Sequence, residues 1–315
     1  MKIAVIGAGA VGTYFGARLA AAGEEVSFLA RGRQLEALRN RGLRIESPAG
    51  NLRLLEVRAA GSCAEIGVAD LALVCVKSWQ VPEIARTMGP VVGPRTALLP
   101  FQNGVEAAGQ LAAEFGWRRV LGGVCRIIAL VESPGVTRHV GGEPLVGLGE
   151  FAAGAEGRLA AATHAFRRSG IRTENPPDIT AAIWEKFLFI AAVGGVGSVA
   201  RAPLGAVRER PETRAMLEGA MREVLAVAVA RGVRLDAGAV ERTLAFLDTL
   251  PADGTSSMQR DIAEGRPSEL ESLSGAVVRL GKESGVPTPI HAFIQGSLVP
   301  QELAARGGPG GGGPA

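Results

Sequence analysis

The chain has 315 residues, 47% of them apolar and 21% charged. That is long enough for two cores of ordinary size and close to the average for soluble globular proteins. The net charge of +3 could point to nucleic acid, but arginine and acidic residues alternate throughout and only 4% of residues are aromatic. No basic run carries interleaved aromatics, which excludes a base-stacking surface and favours a small anionic ligand. Cys63, Cys75 and Cys125 are widely spaced, without a CxxC pair or a histidine neighbour. They read as small buried hydrophobes in a reducing compartment, and no metal site is expected.

The segment Lys2 to Gly7, KIAVIG, has the composition of a strand buried on both faces. GAGAVG follows at once, then a helical pattern to Gly23 and a second strand from Val26 to Ala30. Glycines at this spacing, between a strand and a helix, form a dinucleotide fingerprint. Gly7 permits the tight turn, Gly9 lets the backbone approach a pyrophosphate, and Gly12 lets helix and strand pack closely. Residues Ala8, Ala10 and Val11 complete the cradle, and the helix N-terminus offers N–H groups to the phosphates. The same glycines, with Arg18, interrupt what would otherwise imitate a secretory signal between Met1 and Ala22.

The second strand ends in Ala30-Arg31-Gly32-Arg33, with no acidic residue for a ribose 2′-hydroxyl. The Arg31 guanidinium suits a 2′-phosphate, so the expected cofactor is NADPH/NADP+; Arg33 fits a solvated loop equally well. Two further apolar strands end in polar residues: Asp70 to Lys77 runs into Ser78-Trp79-Gln80, and Thr96 to Phe101 runs into Gln102-Asn103-Gly104. Ligands of doubly wound sheets bind outside the carboxyl ends of strands, which makes Lys77 and Asn103 site candidates. Lysine occurs only at positions 2, 77, 186 and 282. Asn103-Gly104 also reads as a turn pair.

From Val120 to Leu148 the pattern is strand-like, with turns expected at Gly122-Gly123 and Gly141-Gly142. A helix follows from Ala155 to Ser169, a last strand from Ile171 to Glu174, and a linker at Asn175-Pro176-Pro177. Beyond it only helical patterns appear: Ile179 to Arg201, Pro211 to Gly232, one from near Asp236, and one from Ser268 to Gly285. Ser268 and Glu271 have capping-box spacing in the last of these. The expected architecture is α/β, an N-terminal Rossmann-type doubly wound parallel sheet over residues 1–175 with a second, all-helical domain over 178–305. Residues 306–315, nearly all Gly and Pro, read as a disordered tail. The apolar run from Phe187 to Ala200 is short for a membrane span, so the chain reads as soluble and cytoplasmic.

In the first of these helices Ile179, Ile183, Phe187 and Ile190 form a stripe with Lys186 in its middle, and Glu185 falls on the opposite face. Burial there would favour a neutral amine and so a general acid working near pH 7. A lysine at the helix edge, its stem covering apolar surface, is the competing reading. Glu269 flanks the stripe Leu270, Leu273, Val277 and Leu280, where an acid is also ordinary in a first helical turn. The histidines His139, His164 and His291 show no ligand spacing and are assigned no chemistry.

The order GAGAVG, Arg31, VKSWQ, FQNGV, IWEK, SSMQRDI and RPSELE resembles the ketopantoate reductases (2-dehydropantoate 2-reductases) over nearly the whole chain. The resemblance implies reduction of the ketone of a 2-oxo acid by NADPH, on the route to pantothenate. It places Gly7, Gly9 and Gly12 at the pyrophosphate, Arg31 and Lys77 at the adenosine phosphate end, and Asn103 beside nicotinamide and substrate. Lys186 would protonate the nascent alkoxide, Ser257 would contact the substrate, and Glu269 would anchor it or tune Lys186. The chain departs from the pattern at Ile190, Gly194 and Leu204, where many family members carry asparagines, and this opens the identity of the 2-oxo acid. Three readings follow: a 2-dehydropantoate 2-reductase, a relative reducing another 2-oxo acid or ketone, and an NADPH-sensing protein without turnover. The expected partner is a small-molecule 2-oxo acid, not nucleic acid or membrane, with a homodimer left open.

Overall fold

The computed structural model describes residues 1–151 and 156–307. Of the expected Gly/Pro tail, residues 308–315 lie outside the described residues. The chain separates into two units, one of Met1–Gln102 and Glu106–Ala182, the other of Asn103–Val105 and the chain from Ile183.

In chain order the first unit contains β1 (Lys2–Ile6), α1 (Ala10–Ala21), β2 (Glu25–Leu29), α2 (Gly32–Arg41), β3 (Leu43–Glu46), β4 (Leu52–Leu54), β5 (Arg58–Ala60) and α3 (Cys63–Ile66). It continues with β6 (Ala69–Val74), α4 (Val81–Thr87), β7 (Val92–Pro100), α5 (Ala107–Phe115), β8 (Leu121–Ser133), β9 (Val136–Glu150), α6 (Glu156–Arg168) and β10 (Arg172–Glu174). Five strands form a parallel sheet in the order β5-β2-β1-β6-β7. Successive residues of β1 enter different cores: Ile3 and Val5 pack with Phe15 and Leu19, whereas Ala4 and Ile6 pack with Val81 and Leu111. The sheet is therefore covered on both faces, which is why KIAVI is continuously apolar rather than alternating. The order changes direction at β1, and the carboxyl ends of β1 and β6 flank the switch point.

A second sheet, β10-β9-β3-β4 with β8 paired to β9, was only partly legible. Gly122-Gly123 and Gly141-Gly142 are not turns; they lie inside β8 and β9, and the chain reverses at Pro134-Gly135. Gly122 and Gly123 serve close approach: a Cβ would stand 2.3 Å from Ile179 Cγ1 at the first and 2.4 Å from the Pro100 carbonyl oxygen at the second.

The second unit is helical among its described residues. It holds most of α7 (Ile179–Ala200), then α8 (Leu204–Glu209), α9 (Pro211–Ala230), α10 (Ala239–Asp248), α11 (Ser257–Ala263), a π-helical turn Glu271–Gly275, α12 (Ala276–Ser284) and α13 (Pro289–Ala305). By length and composition α7 could cross a membrane, but Phe187, Leu188, Ala191, Ala192 and Val196 form the centre of this unit's core. They pack in one cluster with Leu217, Met221 and Val224 of α9 and Ile294 of α13. Each large side chain so buried contributes about 1.5–3 kcal/mol.

The helix expected from around Ser268 opens with the bond from Leu273 N to the Glu269 carbonyl oxygen (3.0 Å) and runs into the π-helical turn Glu271–Gly275. Ser268 Oγ accepts from Leu270 N (3.2 Å) in a cap-like bond and donates to Glu302 (2.6 Å), but Glu271 does not complete a capping box, its carboxylate accepting from Arg279 (2.7 Å) and Gln295 (3.0 Å). His291 is structural: its Nδ1 lies 3.3 Å from Ser274 Oγ and its Nε2 3.2 Å from the Ala220 carbonyl oxygen. Burial pushes it down to about 4, against the raising effect of the Ala220 bond, so it is neutral at pH 7. Beside it, the Glu223 carboxylate accepts from Ile290 N and His291 N and caps α13, while burial raises its pKa.

Candidate active site

The glycine turn is built as the spacing requires. Gly7 has φ +106°, and a Cβ there would stand 2.8 Å from Val76 N, so the turns after β1 and β6 nearly touch. At Gly12 a Cβ would meet the Gly7 carbonyl oxygen at 2.2 Å. Gly9 differs: it is exposed, and a Cβ would meet nothing within 4 Å. Gly9 is also the N-cap of α1, with no side-chain cap, and the first turn carries no acid. Open space above uncapped N–H groups at the positive end of a helix fits a dinucleotide's pyrophosphate. Ala8 is buried behind the turn, and Ala10 and Val11 are half-buried in the first turn.

Gln34, not anticipated from the sequence, braces this turn. Its Nε2 donates to the Ala8 carbonyl oxygen (3.0 Å) and its Oε1 accepts from Gly135 N (3.0 Å). Arg31 is the N-cap of α2, exposed at the end of β2, and no carboxylate among the described residues pairs with it. An unneutralised guanidinium here fits a 2′-phosphate. Lys77 is exposed beyond β6, its ammonium 5.7 Å from the Trp79 ring centroid. Gln102, a second residue missed from the sequence, donates to the Val74 and Val76 carbonyls at 3.0 and 2.9 Å and so joins the ends of β6 and β7.

In the helical unit, Asn103 Nδ2 donates to Glu269 Oε2 at 2.9 Å across 166 positions of sequence. Gly104 makes this possible: its φ is +99°, and a Cβ would stand 2.8 Å from the Ser272 carbonyl oxygen. Asn103-Gly104 is thus a turn pair and a contact pair at once. Glu269 is buried and precedes the π-helical turn, a local insertion that often marks functional sites. Ser257 is the first residue of α11 and half-buried, while its neighbour Ser256 is buried and caps that helix through Gln259 N (3.0 Å).

Lys186 does not sit in the middle of a buried stripe. It is half-buried together with Ile183 and Ile190, and the fully buried face of α7 is Trp184, Phe187, Leu188, Ala191 and Ala192. A helix apolar on nearly every side offers no unique stripe, so four apolar positions could not locate its inner face. Among the described residues no carboxylate lies within ion-pair distance of the Lys186 ammonium; Glu269 is bonded to Asn103 instead. Glu185 points away and lies 3.5 Å from Arg242.

The model of the ketopantoate reductase PanE/ApbA family matches residues 3–153, and that of its C-terminal region matches residues 178–300. The chain is 32% identical to a 2-dehydropantoate 2-reductase of Halobacterium salinarum, over 92% of this chain and 95% of that one. It is 30% identical to another of Mesorhizobium japonicum, over 98% and 99%. The crystal structure of 2-dehydropantoate 2-reductase from Geobacter metallireducens GS-15 is similar with a TM-score of 0.89 and 32% identity, covering 95% of this chain and 99% of that one.

The chain belongs to the ketopantoate reductase family. It is an oxidoreductase of this NAD(P)H-dependent family, with a parallel sheet and helices at the N-terminus and a helical C-terminal domain. At the three departures the fold gives unequal results. Leu204 is buried in the core where α8 begins. Ile190 is half-buried, one turn beyond Lys186. Gly194 is buried, and a Cβ there would lie 3.7 Å from both Ser256 Oγ and Met258 Cβ, so a methyl would fit without displacement.

Proposed function

We propose that this family member transfers hydride from NADPH to the ketone carbon of a 2-oxo acid, giving the 2-hydroxy acid, with ketopantoate to pantoate as its leading substrate pair. The observation that carries this reading is the Asn103–Glu269 hydrogen bond, an amide and a buried carboxylate drawn together from distant positions. Residues 1–175 act as the cofactor domain and 178–305 as the catalytic one, working as a soluble cytoplasmic enzyme. When bound, NADPH supplies the hydride. Gly7, Ala8, Gly9, Ala10, Val11 and Gly12 hold the pyrophosphate through backbone N–H groups and a helix N-terminus. Arg31 takes the 2′-phosphate and Lys77 adds positive charge at the adenosine end. In the helical unit Lys186 Nζ donates the proton that the nascent alkoxide requires. Asn103, Ser257 and Glu269 bind the substrate's polar groups, Glu269 as an acceptor for a hydroxyl.

A second reading, another 2-oxo acid as the physiological substrate, is favoured by Ile190 and Gly194, which put no polar side chain one and two turns beyond Lys186 on α7. A site built to bond a hydroxyl rejects analogues without it by about 10⁴–10⁵, because buried polar groups go unpaired. An apolar wall discriminates far less. The efficiency ratio of ketopantoate over an analogue lacking the distal hydroxyl should therefore lie within about a hundredfold of unity. NADPH oxidation across a panel of 2-oxo acids checks this. A strong preference for ketopantoate would show that other residues supply the lost contacts, and absence of turnover with every member would favour a sensor.

A further inference from the structure

Glu269 lies outside regular helix, between the end of α11 and the π-helical turn. Its carbonyl oxygen accepts from Leu273 N at 3.0 Å, so it opens the helical ladder and its position depends on the residue that enters it. That preceding residue, Ser268, is held by one buried carboxylate on the last turn of α13. Glu302 accepts from Ser268 Oγ at 2.6 Å and from Ser268 N at 3.0 Å through Oε2, and from Arg306 Nε at 2.6 Å through Oε1. Arg306 Nη2 in turn donates to the Ser268 carbonyl oxygen at 3.2 Å, and Ser268 Oγ accepts from Leu270 N at 3.2 Å. All three polar atoms of Ser268 are thus engaged, and the residues on both sides of Glu269 are tied to the same hub. Ser268 and Glu302 are both buried, which makes these charge-assisted bonds costly to break.

We propose that Glu302 is a positioning residue, acting through Ser268 and with Arg306, that sets the Glu269 carboxylate where it meets Asn103 and the substrate. The proposal rests on the reading of Glu269 as a substrate-binding group. It predicts a coupling that a role in stability alone would not produce. Glu302→Gln keeps the shape but turns one acceptor into a donor, facing groups that are themselves donors. The affinity of the NADP+-loaded enzyme for the 2-oxo acid should fall about ten- to a hundredfold, since small misplacements cost that much at such sites. NADP+ affinity should be unchanged.

The decisive test is a double-mutant cycle with Glu269→Gln, read by calorimetric titration of the 2-oxo acid and by kcat. In the Glu269→Gln background, Glu302→Gln should add nothing further, because the group it positions is gone. Independent, multiplying losses would overturn the proposal, as would full affinity in Glu302→Gln alone. Ser268→Ala, which removes only the hydroxyl, carries the same cycle if Glu302→Gln does not fold. Unchanged binding and turnover in Glu269→Gln alone would contradict the proposed function instead, which keeps the two failures apart.

Discussion

Replacing Lys186 with alanine is expected to lower kcat by about 10²–10⁴ with the best 2-oxo acid, the usual worth of general acid catalysis. Hydride addition to a ketone leaves an alkoxide that must be protonated or charge-stabilised as it forms. On the proposed reading Lys186 supplies both: a proton on Nζ and a positive charge, on a helix whose neighbouring side chains Ile183 and Ile190 are apolar. NADPH affinity should stay nearly unchanged, because the residue belongs to the helical unit and not to the glycine-turn unit. Lys186→Arg should restore little, since a guanidinium holds its proton at any working pH. Steady-state kinetics alongside NADPH titration check the split. Near-normal kcat in the alanine variant would leave Lys186 as a helix-edge side chain that covers apolar surface.

The second large effect is expected at the cofactor. Arg31→Ala should weaken NADPH binding about ten- to a hundredfold, the loss of one charge-assisted phosphate contact of roughly 1.5–3 kcal/mol. NADH binding should barely change. The warrant is that the strand carries no acid for a ribose 2′-hydroxyl at this place and that Arg31 is exposed with no carboxylate partner among the described residues. Fluorescence titration with both cofactors measures the difference. Equal losses would show that Arg31 does not distinguish them.

The glycine turn was legible because its constraints are local. Strand, glycines and helix are contiguous, and each glycine answers a clash that a Cβ would create or a space it leaves open. The helical unit was legible as helices, yet not in its faces. Periodicity places Lys186 in the middle of a buried stripe, whereas it is half-buried, since α7 is apolar on most sides. Asn103 and Glu269 were each marked as candidates, but their pairing depends on a glycine with positive φ and on a turn that no periodicity reveals. At Ser268 the local pattern shows the helix start and hides a distant partner. Its hydroxyl accepts from Leu270 N as the spacing implies, but Glu271 does not reciprocate, and the second partner, Glu302, stands 34 positions away and is invisible to any local pattern. The second sheet escaped for the same kind of reason, because glycines inside β8 serve packing and resemble turns when read alone.

The central claim is hydride transfer to the carbonyl carbon of a 2-oxo acid, and the most direct measurement follows the hydride itself. The wild-type enzyme is incubated with NADPH carrying deuterium at both C4 positions and a 2-oxo acid from the panel, and the product is read by mass spectrometry and proton NMR. The account predicts a 2-hydroxy acid one mass unit heavier, with the deuterium on C2 and one cofactor oxidised per product. Cofactor oxidation without deuterium at C2, or no 2-hydroxy acid from any member of the panel, would contradict it.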